Sequence, residues 1–180
     1  MYVSSSGAGY IDDYTITIGA NTNYPSVAAS GSGGSVVLNT EYDSSGGPCL
    51  ARYITRQIQL ADGFDAGDLR VFLTANKPVG TSVDVFCKIL SGSDGTAFKD
   101  RRYQKLVNIN PTVAPSLTPY SFIDYEYRPS ATSNFITYTS TNGVTYDTFV
   151  TLSIKIVLRS SDPTIVPKVK DLRVIALPAE

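Results

Sequence analysis

Residues 149–159 alternate between two sets of side chains, and this pattern constrains the fold more than any other feature of the chain. Successive side chains of a β-strand point to opposite faces of a sheet, so a period of two residues indicates a strand. One set is Val150, Leu152, Ile154, Ile156 and Leu158, and the other is Thr151, Ser153, Lys155, Val157 and Arg159. We therefore predict a strand with one buried face and one mostly solvated face.

The same period recurs from residue 50 onward and predicts an all-β protein. A single turn of helix is expected within 100–105, and Asn142-Gly143 predicts a hairpin with a type I′ turn. Around eight strands in one chain of this length predict an antiparallel two-sheet β-sandwich with a jelly-roll-like topology. The other predicted strands cover 51–60 (Ile54, Ile58 and Leu60 on one face), 69–75, 83–90 (Cys87 in the core), 120–127, 135–141, 144–149 and 172–177.

Residues 1–48 differ in composition from the rest and are predicted to form an extended N-terminal arm before a β-sandwich domain at 49–180. Gly, Ser, Thr and Asn dominate the arm, and no Lys or Arg occurs up to residue 51. Because the arm has little apolar surface to bury alone, it is either flexible or adds strands to a neighbouring sheet. Its apolar islands carry the candidate assembly contacts, Tyr14, Ile16, Ile18, Val36 and Leu38.

The composition excludes several classes of function. The chain has no histidine, which removes Ser-His-Asp and Cys-His nucleophile systems and His-ligated zinc. Its net charge of -1 is too balanced for the basic field that binds nucleic acid or anionic membranes. The sequence contains no apolar run long enough to span a membrane, and its first residues lack the basic segment and apolar stretch expected of a secretory signal. We expect a protein that is made and left in a cytoplasm, without a cofactor and without nucleic-acid or membrane partners.

The two cysteines, Cys49 and Cys87, follow no metal-binding or redox spacing. Reduced thiols are expected in a cytoplasm. A bridge between them requires the fold to bring the two residues within bonding distance.

Two groups of carboxylates are candidate sites. Asp62, Asp65 and Asp68 form an oxygen-rich loop that is interpreted as a turn between strands, with calcium binding as the alternative. Asp124 and Glu126 lie two residues apart, on one face of a predicted strand, as a glycoside hydrolase pair would. We expect this pair to be hydrated rather than catalytic.

Basic and aromatic residues provide two further candidates. Lys99, Arg101, Arg102 and Lys105 surround Tyr103 and are interpreted as a solvated loop or a protein contact. Tyr120, Tyr125 and Tyr127 could stack on sugar rings, form a subunit interface or lie half-buried in their strand.

Three segments resemble β-sandwich structural domains of tailed-bacteriophage virions, found in tail, baseplate and fibre-associated proteins of phages that include those of cyanobacteria. The likeness covers roughly residues 50–177, and the segments that carry it are 51–56 (ARYITR), 60–71 (LADGFDAGDLRV) and 165–173 (IVPKVKDLR). The resemblance implies assembly rather than catalysis, since the family motifs include no catalytic or metal-binding residues. It also implies copies of this chain and other virion proteins as partners, with a trimer or hexamer matching the symmetry of tails.

Two functions follow as hypotheses. The first is a non-enzymatic virion structural protein that acts through protein contacts of its arm and polar strand faces. The second is a carbohydrate-binding module that contacts host surface glycans through its tyrosines, with the loop at 62–68 as a calcium or hydroxyl contact.

Overall fold

The computed structural model describes residues 2–5, 15–18, 27–30, 34–37, 51–111, 114–162 and 164–178. The chain divides into two units, residues 1–43 with 47–49, and residues 44–46 with 50–180. In the described part of the first unit, four short strands form two antiparallel pairs. Strand β1 (Tyr2–Ser5) pairs with β4 (Gly34–Val37), and β2 (Thr15–Ile18) pairs with β3 (Val27–Ser30).

The predicted assembly contacts fall in or next to these strands. Tyr14 and Leu38 lie outside the described residues. Ile16 and Ile18 belong to β2 and Val36 to β4, where only the backbone is described.

We call the second unit the body, and its described residues form eleven strands and one short 3-10 helix at Phe98–Asp100. Its strands are β5 (Arg52–Ile54), β6 (Ile58–Gln59), β7 (Ala66–Asn76), β8 (Thr81–Leu90), β9 (Gln104–Lys105), β10 (Val107–Asn108), β11 (Ile123–Arg128), β12 (Tyr138–Thr139), β13 (Thr145–Tyr146), β14 (Thr151–Ser160) and β15 (Lys168–Pro178). Sheet I has the order β10–β11–β7–β15, and sheet II has the order β5–β14–β8–β9 with β6 also paired to β14. All these pairings are antiparallel, as is the β12–β13 hairpin.

Side chains of both sheets meet in one hydrophobic core. Strand β7 shows why, because its alternate residues Leu69, Val71, Leu73 and Ala75 are fully buried while those between them are half-exposed. Burying a large aliphatic side chain contributes about 1.5–3 kcal/mol. From sheet II, Val83, Val85, Cys87, Leu152, Ile154 and Ile156 join the same core. The predicted all-β fold with antiparallel sheets is confirmed, and the arrangement is consistent with a β-sandwich.

The prediction of a solvated face on β14 is wrong. Residues 151–157 are buried on both sides of the strand. The segment after the 3-10 helix covers the outer side, where the Tyr103 hydroxyl lies 3.1 Å from the Ser153 hydroxyl. The Lys155 ammonium lies 5.3 Å from the Tyr103 ring centre, within cation–π range. Val157, which the alternation assigns to the mostly solvated face, is also fully buried.

Several element boundaries also differ from the predictions. The strand expected over 51–60 is split into β5 and β6, since the Thr55 hydroxyl accepts a hydrogen bond from the Ile154 N–H at 3.0 Å. The strand expected from residue 120 begins at Ile123, after a turn closed by the Ser121 N–H and the Thr118 carbonyl. The last strand extends over 168–178, and the helical turn lies at 98–100.

The hairpin across Asn142-Gly143 is confirmed, but its turn type is not. Gly143 has a φ of 84°, whereas no described residue other than glycine has a positive φ. A type I′ turn needs positive φ at both central residues. The Gly143 N–H instead donates to the Ser140 carbonyl at 3.0 Å and the Ser140 N–H to the Val144 carbonyl at 2.8 Å. This pattern is typical of a three-residue loop with glycine in the left-handed position.

Cys87 carries a free, fully buried thiol, as predicted for a core position. Burial raises the pKa of this thiol to about 12, so it stays protonated at neutral pH. Cys49 lies outside the described residues. Among the described residues, no helix is long and apolar enough to cross a membrane.

Candidate functional site

The paired carboxylates lie on the outer face of sheet I, where arginines hold them. Arg70 Nε and Arg128 Nε donate to the same Glu126 Oε1, each at 2.7 Å. These contacts outweigh partial burial and lower the pKa of Glu126. Asp124 accepts a hydrogen bond from the Thr74 hydroxyl and lies 3.4 Å from Arg173 Nη2. A general acid needs a raised pKa, so this arrangement suits an ion-pair network rather than hydrolysis.

The lowered pKa of Glu126 makes the stability of the body depend on acidity. Its contribution is complete above the ordinary carboxyl pKa of 4.5 and is lost as the pH falls through the lower folded-state value. We expect Glu126→Gln to cost about 1–2 kcal/mol at pH 7, because two arginines lose their acceptor charge. Urea unfolding at pH 7 and pH 3 measures both effects. Asp124→Asn is the control, since its carboxylate is 62% exposed. An equal acid-induced loss in wild type and Glu126→Gln would contradict this assignment.

The Asp-rich loop forms a turn. The Phe64 N–H donates to the Ala61 carbonyl at 3.0 Å, and Gly63 takes a φ of 79° between them. The described residues contain no group of three or more His, Cys, Asp or Glu placed to hold a metal ion. Asp62, Asp65 and Asp68 are therefore not gathered into such a group.

The structure separates the three candidate tyrosines. Tyr125 and Tyr127 are each 2% exposed and belong to the core. The Tyr127 hydroxyl donates to the Val83 carbonyl at 3.0 Å, which joins β11 to the opposite sheet. Tyr120 is 88% exposed. The interpretation of Tyr125 and Tyr127 as sugar-stacking residues is therefore wrong, because both rings face inward between the sheets.

The basic cluster folds back onto the body. Arg101 lies over the ring of Tyr138, with its guanidinium carbon 3.8 Å from the ring centre. Lys105 pairs with Asp84, with Nζ 2.9 Å from Oδ1. Lys99 and Arg102 are exposed. The four cations consequently do not form one continuous basic surface.

A buried carboxylate anchors the loop that carries this cluster. Tyr138 donates its hydroxyl hydrogen to Asp94 Oδ2 at 2.9 Å and accepts from the Ser91 N–H at 2.8 Å. Burial opposes ionisation of Asp94, but hydrogen bonds from Thr96 and Tyr138 lower its pKa overall. These contacts fasten the β12–β13 hairpin to the loop after β8, so they are structural.

The two edges of the body differ. At one edge, the chain runs from β9 in sheet II through Leu106 to β10 in sheet I. Leu106 is 2% exposed, and its N–H donates to the Val85 carbonyl at 2.9 Å. This short connection covers the core along that side, which we call the closed edge.

At the opposite edge, β5 and β15 are the last strands of their sheets, and no described strand pairs with their outer sides. We call this side the open edge. A groove of about 350 Å³ lies between the two strands. Its lining combines apolar residues with one charge of each sign, namely Tyr53, Ile156, Leu158, Val169, Leu172, Lys170 and Asp171. An unpaired strand edge presents backbone N–H and C=O groups to any extended chain that reaches it.

The open edge is both apolar and basic. Tyr53 is 57% exposed, and Ile54, Val169, Ile175 and Leu177 are also exposed. Its exposed cations are Arg52, Lys168, Lys170 and Arg173, and the exposed carboxylates beside them are Asp171 and Asp124. Arg173 pairs with both carboxylates, with Nε 3.1 Å from Asp171 and Nη2 3.4 Å from Asp124, and Lys168 and Lys170 give this edge an excess of positive charge. Large exposed apolar side chains rimmed by charge are typical of protein-binding surfaces.

Sequence reasoning missed this site. It grouped Ile54 with Ile58 and Leu60 on one face of a single strand, whereas Ile54 is exposed at the open edge. The mixture of lysines with apolar residues over 168–177 could have indicated an edge strand, because lysine is common there. Which strand lacks a neighbour is a property of the sheet order and is not encoded in any one segment.

Comparison with known proteins adds no homologue: no protein-family model, curated protein or solved structure matches the chain.

Proposed function

We propose that the chain is a non-enzymatic structural protein that assembles through contacts at its open edge. The observation that carries the proposal is the groove that opens between β5 and β15, two strands whose outer sides no described strand pairs. Strand addition at such an edge gives affinity through backbone hydrogen bonds and specificity through alternate side chains. The ion-paired state of Glu126 supports the same view, since it favours a stiff scaffold over a hydrolytic pair.

The finer parts of the proposal concern architecture and location. We infer a jelly-roll-like sandwich with an extended N-terminal arm, acting in the tail, baseplate or fibre apparatus of a tailed-phage virion. Support comes from the segments that resemble such proteins, because 51–56 contains β5 and 165–173 contains the start of β15. Two of the three segments thus lie at the open edge. The partners are copies of this chain and other virion proteins, in a trimer or hexamer.

Purified particles test this proposal. We expect the full chain to band with virions in a density gradient of the producing cells' lysate and to stay in that band after a high-salt wash. An abundant cytoplasmic enzyme serves as the control for trapped material. Recovery of the chain only in the soluble fractions would contradict a structural role in the virion.

A further inference from the structure

We propose that the open edge binds residues 12–18 of a second copy of this chain as an added β-strand. The inference rests on the proposed function, since it names the contact through which copies of the chain would assemble. Three observations carry it: the charge of the two surfaces, the side-chain pattern of the donated segment, and the geometry of the groove.

The charges of donor and acceptor are opposite. Up to residue 51 the chain contains four acidic side chains, Asp12, Asp13, Glu41 and Asp43, and no Lys or Arg. The exposed cations Lys168 and Lys170 lie at the start of the open-edge strand β15. Complementary charge steers encounter and selects the register of an interface. A segment that begins with two adjacent aspartates is therefore attracted to this end of the groove.

The donated segment also matches the groove in pattern. Residues 14–18 read Tyr-Thr-Ile-Thr-Ile, so an extended strand places Tyr14, Ile16 and Ile18 on one face. The acceptor offers apolar surface from both sheets, including Tyr53 and Leu158 on sheet II and Leu172 on sheet I. A strand added beside β15 would direct one face into this groove and the other, with its two threonines, toward solvent.

The backbone of the donor suits this pairing. In its own unit, β2 (Thr15–Ile18) pairs with β3 in a two-stranded sheet, and the described strands leave the other side of β2 unpaired. Strand β15 likewise pairs with β7 alone among the strands that the structure describes. Pairing β2 of one molecule with β15 of another would continue sheet I across two molecules, through either an antiparallel or a parallel ladder. Because donor and acceptor are different surfaces of the same chain, the contact is heterologous, and such contacts form a ring, such as a trimer, when the rotation between successive copies closes.

Charge reversal and rescue test the proposal on the full chain. We expect Lys168→Glu with Lys170→Glu to weaken self-association about tenfold, as measured by sedimentation velocity across a concentration series. Adding Asp12→Lys with Asp13→Lys to that variant should restore association. Lys99→Glu is the matched control, because Lys99 is an exposed lysine outside the open edge. Circular dichroism and the Tm of each variant establish that the body is folded.

Carbodiimide cross-linking of mixed 14N and 15N chains identifies the contact. The expected product joins Lys168 or Lys170 of one isotope to Asp12 or Asp13 of the other. Cross-links confined to single copies, or association that ignores the charge reversal, would overturn the proposal. If association persists after the charge reversal, the chain still assembles, and the proposed structural function would then use a surface other than the open edge. A chain that is monomeric at every concentration and absent from particles would instead overturn the proposed function itself.

Discussion

Replacing Tyr127 by alanine is expected to lower the free energy of unfolding by about 3–5 kcal/mol, as for other large aromatic residues deleted from a core. The ring is 2% exposed between the sheets, and its hydroxyl holds the Val83 carbonyl of the opposite sheet. Burial raises the pKa of this phenol, which keeps the hydroxyl protonated as a donor. The substitution thus removes both packing and a buried hydrogen bond.

The control for this prediction is Tyr120→Ala, which should change the free energy of unfolding by less than about 0.5 kcal/mol. Tyr120 is 88% exposed and has the same side chain. Urea titration followed by circular dichroism measures both variants. A Tyr127→Ala variant that kept its stability but lost binding on a glycan array would return Tyr127 to a sugar-binding role.

Leu106→Ala is expected to cost about 2–4 kcal/mol, because it opens a cavity where the chain crosses between the sheets. Leu106 is 2% exposed and lies in the core beside residues of both sheets. The residues on either side of Leu106 belong to β9 and β10, two-residue strands that are hydrogen-bonded to β8 and β11. This pairing limits how far the backbone can move to fill the space of the missing atoms. The closed edge should therefore be sensitive to the loss of one side chain.

The open edge supplies the comparison. Leu177→Ala, at a leucine that is 41% exposed on β15, should cost less than about 1 kcal/mol in the isolated chain. Thermal or urea unfolding at low protein concentration measures the difference between the two leucines. Similar losses for Leu106→Ala and Leu177→Ala would mean that the two edges are equally packed, contrary to the description of one edge as open.

Much of the local structure could be predicted from single segments. The alternation over Leu69–Ala75 identified a strand and its buried face, because a two-residue period permits only one assignment of inward and outward side chains. Cys87 was placed in the core on the same ground. The Asn142-Gly143 hairpin was also found, although the turn is closed by glycine alone in the left-handed region. In each case the information lies within a few adjacent residues.

The candidate sites were less predictable, because exposure depends on what covers a strand. Lys155 is 4% exposed although its position in the alternation indicates a wet face. The cover comes from Tyr103, about fifty positions earlier in the chain. The sequence leaves Tyr125 as a candidate for sugar stacking, whereas the fold packs its face of β11 against sheet II in the core. Periodicity distinguishes two faces of a strand but does not say which of them meets another layer.

The amino-acid sequence by itself determined that this chain forms strands, which residues share a face, and that histidine-dependent chemistry is excluded, since these follow from side-chain type and a local period. Only the tertiary structure decided that Leu106 seals one edge of the body and that β5 and β15 leave the other open. The order of strands in a sheet depends on long-range pairing between distant segments, whose free energy is shared among all strands at once. For that reason the surface we assign to assembly is visible in the folded chain and in no single stretch of its sequence.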